Sequence, residues 1–214
     1  VMRPESKLEQ GDGMPAAIPK SGGIWWDPQA GHYRMWYDAG WSHRYAYATS
    51  PDGFNWQRRG RLLTLDAAPL DLVTNSSAAF FDFHEPDPSR RFKMFIRQPD
   101  RNEPQEPGGW AVTKGRTRAY VMFSSDGIYW SDPVITSKVG DRSTVFYDPF
   151  RRRWVFSIRS YHFGSPLSRI RQYRECDDLI GQAYWEDDEE VFWTRADRLD
   201  PEDPEIGVKP QLYN

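Results

Sequence analysis

The hydrophobic pattern of this chain repeats. At three places an apolar pair runs into an aspartate, a short loop follows, and an aromatic-rich alternating stretch comes next. The first copy is Ile24, Trp25, Trp26 and Asp27, a loop to His32, then Tyr33, Arg34, Met35, Trp36 and Tyr37. The second is Ala79, Phe80, Phe81 and Asp82, a loop through Pro88, then the apolar-rich run at 91–96. The third is Val145, Phe146, Tyr147 and Asp148, a short loop, then the run at 154–158. Alternation with period two marks strands, and Asp with nearby Pro and polar residues marks a turn, so each copy predicts a β-hairpin. Asp27, Asp82 and Asp148 are expected to hydrogen-bond the turn backbone.

A second motif, S-x-D-G-x-x-W, follows the first two hairpins. It stands at Ser50, Asp52, Gly53 and Trp56, and again at Ser124, Asp126, Gly127 and Trp130. Asp-Gly is a strong hairpin signal because Gly accepts positive φ, and the Trp is expected to pack the outer strand back on the sheet. A strand pattern precedes each motif, at 44–49 and 118–123, while 190–195 takes the outer place in the third unit. Each unit therefore holds about four strands, and four-stranded units in series are propeller blades. The expected fold is all-β: a β-propeller of four-stranded antiparallel blades, with about three blades present of an expected five. The blades run at approximately 20–60, 72–134 and 139–197 within a single partial domain spanning 1–214, and 198–214 leads into a further blade with a strand at 211–213. The proline-containing run 98–109 reads as an inserted loop, and a helix is expected only near 166–181.

Composition sharpens this picture. Aromatic residues make up 15% of the chain, which suits strands and the space between packed sheets. Net charge is -3, so no overall basic field points to nucleic acid. No apolar run reaches the roughly 18 residues of a membrane span. Neither nucleic acid nor membrane is expected as a partner. Cys176 is the single cysteine and allows no intrachain disulfide. The chain opens at Val1 without a basic-then-apolar leader, so the N-terminus reads as truncated; the location stays unknown, with a slight lean to periplasmic or secreted. The missing blades, or another chain, are expected to close the propeller.

Candidate chemistry comes from aligning the hairpins on their aspartates. This puts Lys20, Asn75, Asp141 and Arg142 at equivalent places, where inner strands begin and where an axial funnel would open. Glu175 lies in a run of charges with Arg171, Arg174, Asp177 and Asp178. It reads either as a general acid whose pKa burial raises, or as a member of a solvated edge strand. The four histidines lack metal-ligand spacing and no phosphate loop is present. No cofactor is expected, and a structural calcium stays open.

The runs W-W-D-P-x-A-G-H-Y-R-M-W-Y at 25–37 and Y-A-T-S-P-D-G-x-N-W at 47–56, with Glu175-Cys176 before two aspartates, resemble the five-bladed β-propeller glycosidases. These are the invertase-like and arabinosidase/xylosidase-like glycoside hydrolases. The resemblance implies hydrolysis of an oligo- or polysaccharide by paired carboxylates in the axial funnel. It makes Glu175 the general acid and gives Asp141 the tuning role. Arg142, Asn75 and Lys20 would bind substrate, and Trp41 would stack on a sugar ring, with Trp25, Trp26, Trp36 and Trp110 as further candidates. The family's first-blade carboxylate has no counterpart at 19–22, which leaves Asp12 or a further blade to supply it. Two alternatives stay open. One is a non-catalytic propeller that binds carbohydrate or protein. The other is a sialidase-like enzyme, which would bring together Arg142, Arg159 and Arg171.

Overall fold

The computed structural model describes residues 2–41, 44–69, 75–99, 117–161, 169–179, 181–186, 189–202 and 204–205. Trp110, most of the 98–109 loop and the strand expected at 211–213 lie outside them. The described residues are nearly all β and fall into two compact units, Val1–Gln98 with Tyr120–Val134, and Pro99–Ala119 with Ile135–Asn214.

The first unit starts with a single helical turn, α1 (Lys7–Gln10), closed by a capping box between Ser6 and Glu9. Four antiparallel strands follow: β1 (Ala17–Asp27), β2 (His32–Ala39), β3 (Arg44–Ser50) and β4 (Gln57–Arg61), each paired with the next. The short β5 (Leu63–Thr64) comes next, then β6 (Asn75–Phe81) and β7 (Phe92–Pro99), which form the second hairpin. One parallel bridge, Ser21 to Ala78, joins the two inner strands β1 and β6. β8 (Thr117–Ser124) lies beside β7, and the short β9 (Tyr129–Trp130) pairs in parallel with β5.

The two expected motifs carry the turns. Asp27 Oδ1 accepts from the amides of Gln29 and Ala30 at 3.0 and 3.1 Å, and Asp82 Oδ1 accepts from His84 at 2.9 Å. In both S-x-D-G-x-x-W copies the serine hydroxyl accepts from the Gly amide, at 2.9 Å for Gly53 and 2.8 Å for Gly127. Trp130 is fully buried with Trp36, Phe92, Met94 and Met122. Trp36 donates from Nε1 to the Gly127 carbonyl at 2.9 Å, and a Cβ on Gly127 would lie 2.7 Å from the Trp36 ring.

The second unit contains an antiparallel sheet of β11 (Thr144–Asp148), β12 (Arg153–Tyr161), β13 (Arg169–Cys176) and β14 (Val191–Arg195). β10 (Val134–Lys138) comes just before it. Val145, Trp154, Phe156, Ile158 and Ile170 are buried, and Phe156 meets Trp185 edge-on at 4.9 Å. Residues 169–176, where a helix was expected, form β13. Pairing with β12 on one side and β14 on the other satisfies their backbone as a sheet does, and this long-range pairing overrides local signals.

Candidate functional site

The end of the second unit's sheet where β11 begins is built around a tight loop at 140–143. The Ser143 hydroxyl donates to the Gly140 carbonyl at 2.8 Å and accepts from the Arg159 amide at 3.1 Å. A Cβ on Gly140 would stand 2.2 Å from the Arg159 carbonyl, so only glycine lets the loop lie this close to β12. Arg142 takes positive φ, 58°. This loop fixes Asp141 3.9 Å from Arg159 Nη1. Arg171 on β13 stands directly opposite Arg159 on β12 and donates from Nη1 to the Arg142 carbonyl at 2.8 Å. Burial, with repulsion from Arg159, lowers Arg171 to a pKa of about 10, against a smaller opposing pull from Asp141. Of the three arginines grouped for a sialidase-like site, Arg159 and Arg171 are brought level by strand pairing, close enough for their charges to repel. Arg142 contributes its carbonyl, and its own side chain is exposed.

Glu175 belongs to the other end of the same sheet. It receives Arg151 Nη1 at 2.5 Å and lies 3.4 Å from Arg153 Nη1. Arg151 also bridges to Asp148, whose Oδ1 accepts the turn amides of Phe150 and Arg151. Strand register sets the separation from Asp141. Glu175 is level with Val155, while Arg171 is level with Arg159, four positions further along the strand pair. That is about 13 Å of strand. Paired glycosidase carboxylates stand about 5–5.5 Å apart in retaining enzymes and about 6.5–9.5 Å in inverting ones. The expectation that Glu175 and Asp141 meet in one funnel is therefore corrected: the antiparallel register of β12 and β13 holds them at opposite ends.

In the first unit, Lys20 is buried at 6% exposure. It pairs with Asp38, and its ammonium sits 4.3 Å from the centre of the Tyr45 ring. Tyr45 in turn shares a hydrogen bond with Ser77 at 2.7 Å. Lys20 was expected at an open rim; its placement ties β1 to β2 and β3 instead. Asn75 opens β6 opposite Arg97, and its side chain lies outside the described residues. Trp41, just past β2, is 46% exposed, with its amide bound to the Met14 carbonyl. Trp36 is core, and Trp25 is half-buried against it. Trp26 is exposed and packs edge-on against Tyr33. Among the described residues no group of three or more His, Cys, Asp or Glu side chains gathers to hold a metal ion.

Glu9 was not singled out in the sequence. It is fully buried and receives the Tyr37 hydroxyl at 2.9 Å, Arg58 Nε at 2.8 Å and the amides of Ser6 and Glu5. Burial pushes its pKa up, but the Arg58 guanidinium and these donors outweigh that and hold it at about 2. The only local signal was the Ser6–Glu9 capping-box spacing.

No sequence-family model and no curated protein matches the chain. Solved structures do. The exo-inulinase of Aspergillus awamori superposes with a TM-score of 0.50 at 15% identity, covering 86% of this chain and 39% of its own. An N-acetylgalactosamine deacetylase from F. plautii also gives 0.50 at 15% identity, covering 73% of this chain and 49% of its own. The similar structures include five-bladed β-propeller glycosidases of families 43 and 32. The fold is that of the β-propellers. The chain spans about half or less of the length of these two neighbours. At this identity the likeness is one of fold. The four-stranded antiparallel sheets and the parallel bridge between β1 and β6 are the propeller features this chain displays.

Proposed function

We propose that this propeller acts on an oligo- or polysaccharide as a glycoside hydrolase. The observation that supports the reading is the shared fold with the exo-inulinase, over most of this chain. Fold alone does not assign chemistry, so the residues have to carry the rest. Hydrolysis needs two carboxylates flanking the scissile bond. Asp141 is put forward as one of them, because its loop is pinned by Gly140 and Ser143 beside two arginines. Glu175 is kept as the second candidate, acting with a carboxylate other than Asp141, since register separates those two. That separation favours a second reading, a propeller that binds carbohydrate without cleaving it.

One experiment decides between them. The chain is incubated with a panel of oligosaccharides, and both binding and release of reducing ends are measured. Hydrolysis that falls roughly 10²-fold or more in Asp141→Asn, with binding retained, supports the first reading. The same loss in Glu175→Gln transfers the role to Glu175. Binding without release establishes the second reading, and neither binding nor release overturns both.

A further inference from the structure

The two hairpins of the first unit can be compared position by position. Strand pairing sets Trp26 opposite Tyr33 and Ile24 opposite Met35 in the first, and Phe81 opposite Phe92 and Ala79 opposite Met94 in the second. The motif tryptophans correspond as well, Trp56 in one copy and Trp130 in the other. In the second hairpin this face is closed. Ala79, Phe81, Phe92, Met94 and Trp130 are all buried, and they share a core with Trp36 and Tyr45 from β2 and β3. The matching face of the first sheet is covered in another way. Met2 and Leu8, from the segment ahead of β1, pack with Trp56 on Met35, Tyr37, Ala46 and Ala48. That cover stops short. Ile24 is 47% exposed and Trp26 42%, where their counterparts Ala79 and Phe81 are at 0% and 7%.

Polar bonds hold the segment in its seat. Glu9 is fully buried and receives the Tyr37 hydroxyl and Arg58 Nε, and Arg58 Nη2 donates to the Arg3 carbonyl at 2.6 Å. A buried carboxylate is tolerated only while such partners hold it. One turn of helix, Lys7–Gln10, is too short to order itself, so the seat orders the segment. Under it, β2 and β3 present Tyr33, Met35, Tyr37, Ala46 and Ala48 on this face without a charge between them. Arg58 lies on β4, at the outer edge. An open apolar sheet face is an association surface. One with no charge at its middle can meet its own copy without repulsion, which makes a second copy of this chain the occupant it fits.

We propose that Met2–Gln10 is a strap that takes the place of a neighbouring sheet on the first blade and guards that face against association with a second copy of the chain.

The test is light scattering behind size exclusion, run over a range of protein concentrations, with trypsin cleavage after Lys7 timed in parallel. The wild-type chain is expected to stay monomeric and to be cut slowly. Leu8→Asp sets a carboxylate against the apolar face, so it is expected to speed the cut and to raise the mass toward a dimer as concentration rises. A separate peptide with the sequence of residues 2–10 is expected to return that variant to the monomer, and a scrambled peptide is not. Adding Trp26→Asp to Leu8→Asp is expected to abolish association, because Trp26 belongs to the uncovered face. Lys7→Asp, a carboxylate at the exposed neighbouring position, is expected to behave as wild type. Should Leu8→Asp fail to fold, Arg58→Met frees the strap from the other side by removing the partner of Glu9, and the same rise in mass is expected. A faster cut with the chain still monomeric overturns the proposal, because the face is then free and does not associate. A cut no faster than wild type overturns it too, because the strap is then not held by this face. Association that persists with Trp26→Asp, or wild-type association that Trp26→Asp removes, also overturns it.

Discussion

Gly53 and Gly127 occupy the same place in two copies of one motif, with φ of 79° and 74°. A left-handed backbone charges any other residue about 1–2 kcal/mol. Their surroundings differ. A Cβ on Gly53 meets the Tyr33 ring at an ordinary 3.7 Å, whereas on Gly127 it meets Trp36 at 2.7 Å. Trp36 has little room to retreat, because its Nε1 is bound to the Gly127 carbonyl and its ring is packed on Phe92 and Trp130. Urea titration of Gly53→Ala is therefore expected to show a loss of about 1–2 kcal/mol. Gly127→Ala is expected to lose about 1–3 kcal/mol more from overpacking. Equal losses would mean that the Trp36 contact contributes nothing. Both glycines were legible as turn residues. Their difference was not, because Trp36 is far away in sequence.

At the scale of elements, each hairpin is anchored by its aspartate, but the anchors are built differently. Asp148 works at an exposed tip with Arg151, where ion pairs contribute about 1 kcal/mol or less. Asp82 works in a buried one, where Lys93, 2% exposed, bridges Asp82 at 2.7 Å and Glu85 at 2.8 Å. Breaking a buried pair strands the remaining charges and costs about 3–5 kcal/mol. Thermal melts of Lys93→Met should show a loss of that order, while Arg151→Met should change stability by about 1 kcal/mol or less. A small effect of Lys93→Met would show that Asp82 and Glu85 find water or other donors. The alternation at 92–96 announced a strand, but the burial of Lys93 did not follow from it. Lysine in an alternating stretch ordinarily marks the wet face.

At the scale of the whole molecule, the carboxylates set the response to acid. Glu9 is held at about 2 against an ordinary 4.5. Asp27 is lowered too: burial opposes this, and the Ala30 amide and Arg34 outweigh it. Asp52 is lowered by the amides of Asn55 and Phe54. A carboxylate whose folded pKa lies below its unfolded value stabilises the fold above the unfolded value, and loses that contribution as pH falls through the folded one. Stability should therefore be flat near neutrality and decline from about pH 4.5 toward about pH 2. Glu9→Gln should be less stable at pH 7 and show a shallower decline, read from denaturant midpoints across that range. An unchanged slope would remove Glu9 from the account.

The sequence by itself determined the strand-and-turn grammar of this protein. The three hairpins, the two Asp-Gly turns and the all-β class rest on period-two alternation and on what Asp, Pro and Gly do to a backbone within a few residues. Local chemistry suffices for that. Tertiary structure decided which charges meet. Asp141 and Glu175 both looked like site residues, and the register of β12 and β13 set them at opposite ends. Lys20 looked like a rim residue, and the packing of β1 against Asp38 and Tyr45 buried it. Arg159 and Arg171 stand twelve positions apart in the chain and became neighbours only through the pairing of two strands. Electrostatics acts through distance in space, and strand register, which long-range pairing sets, turns a list of charged residues into a site.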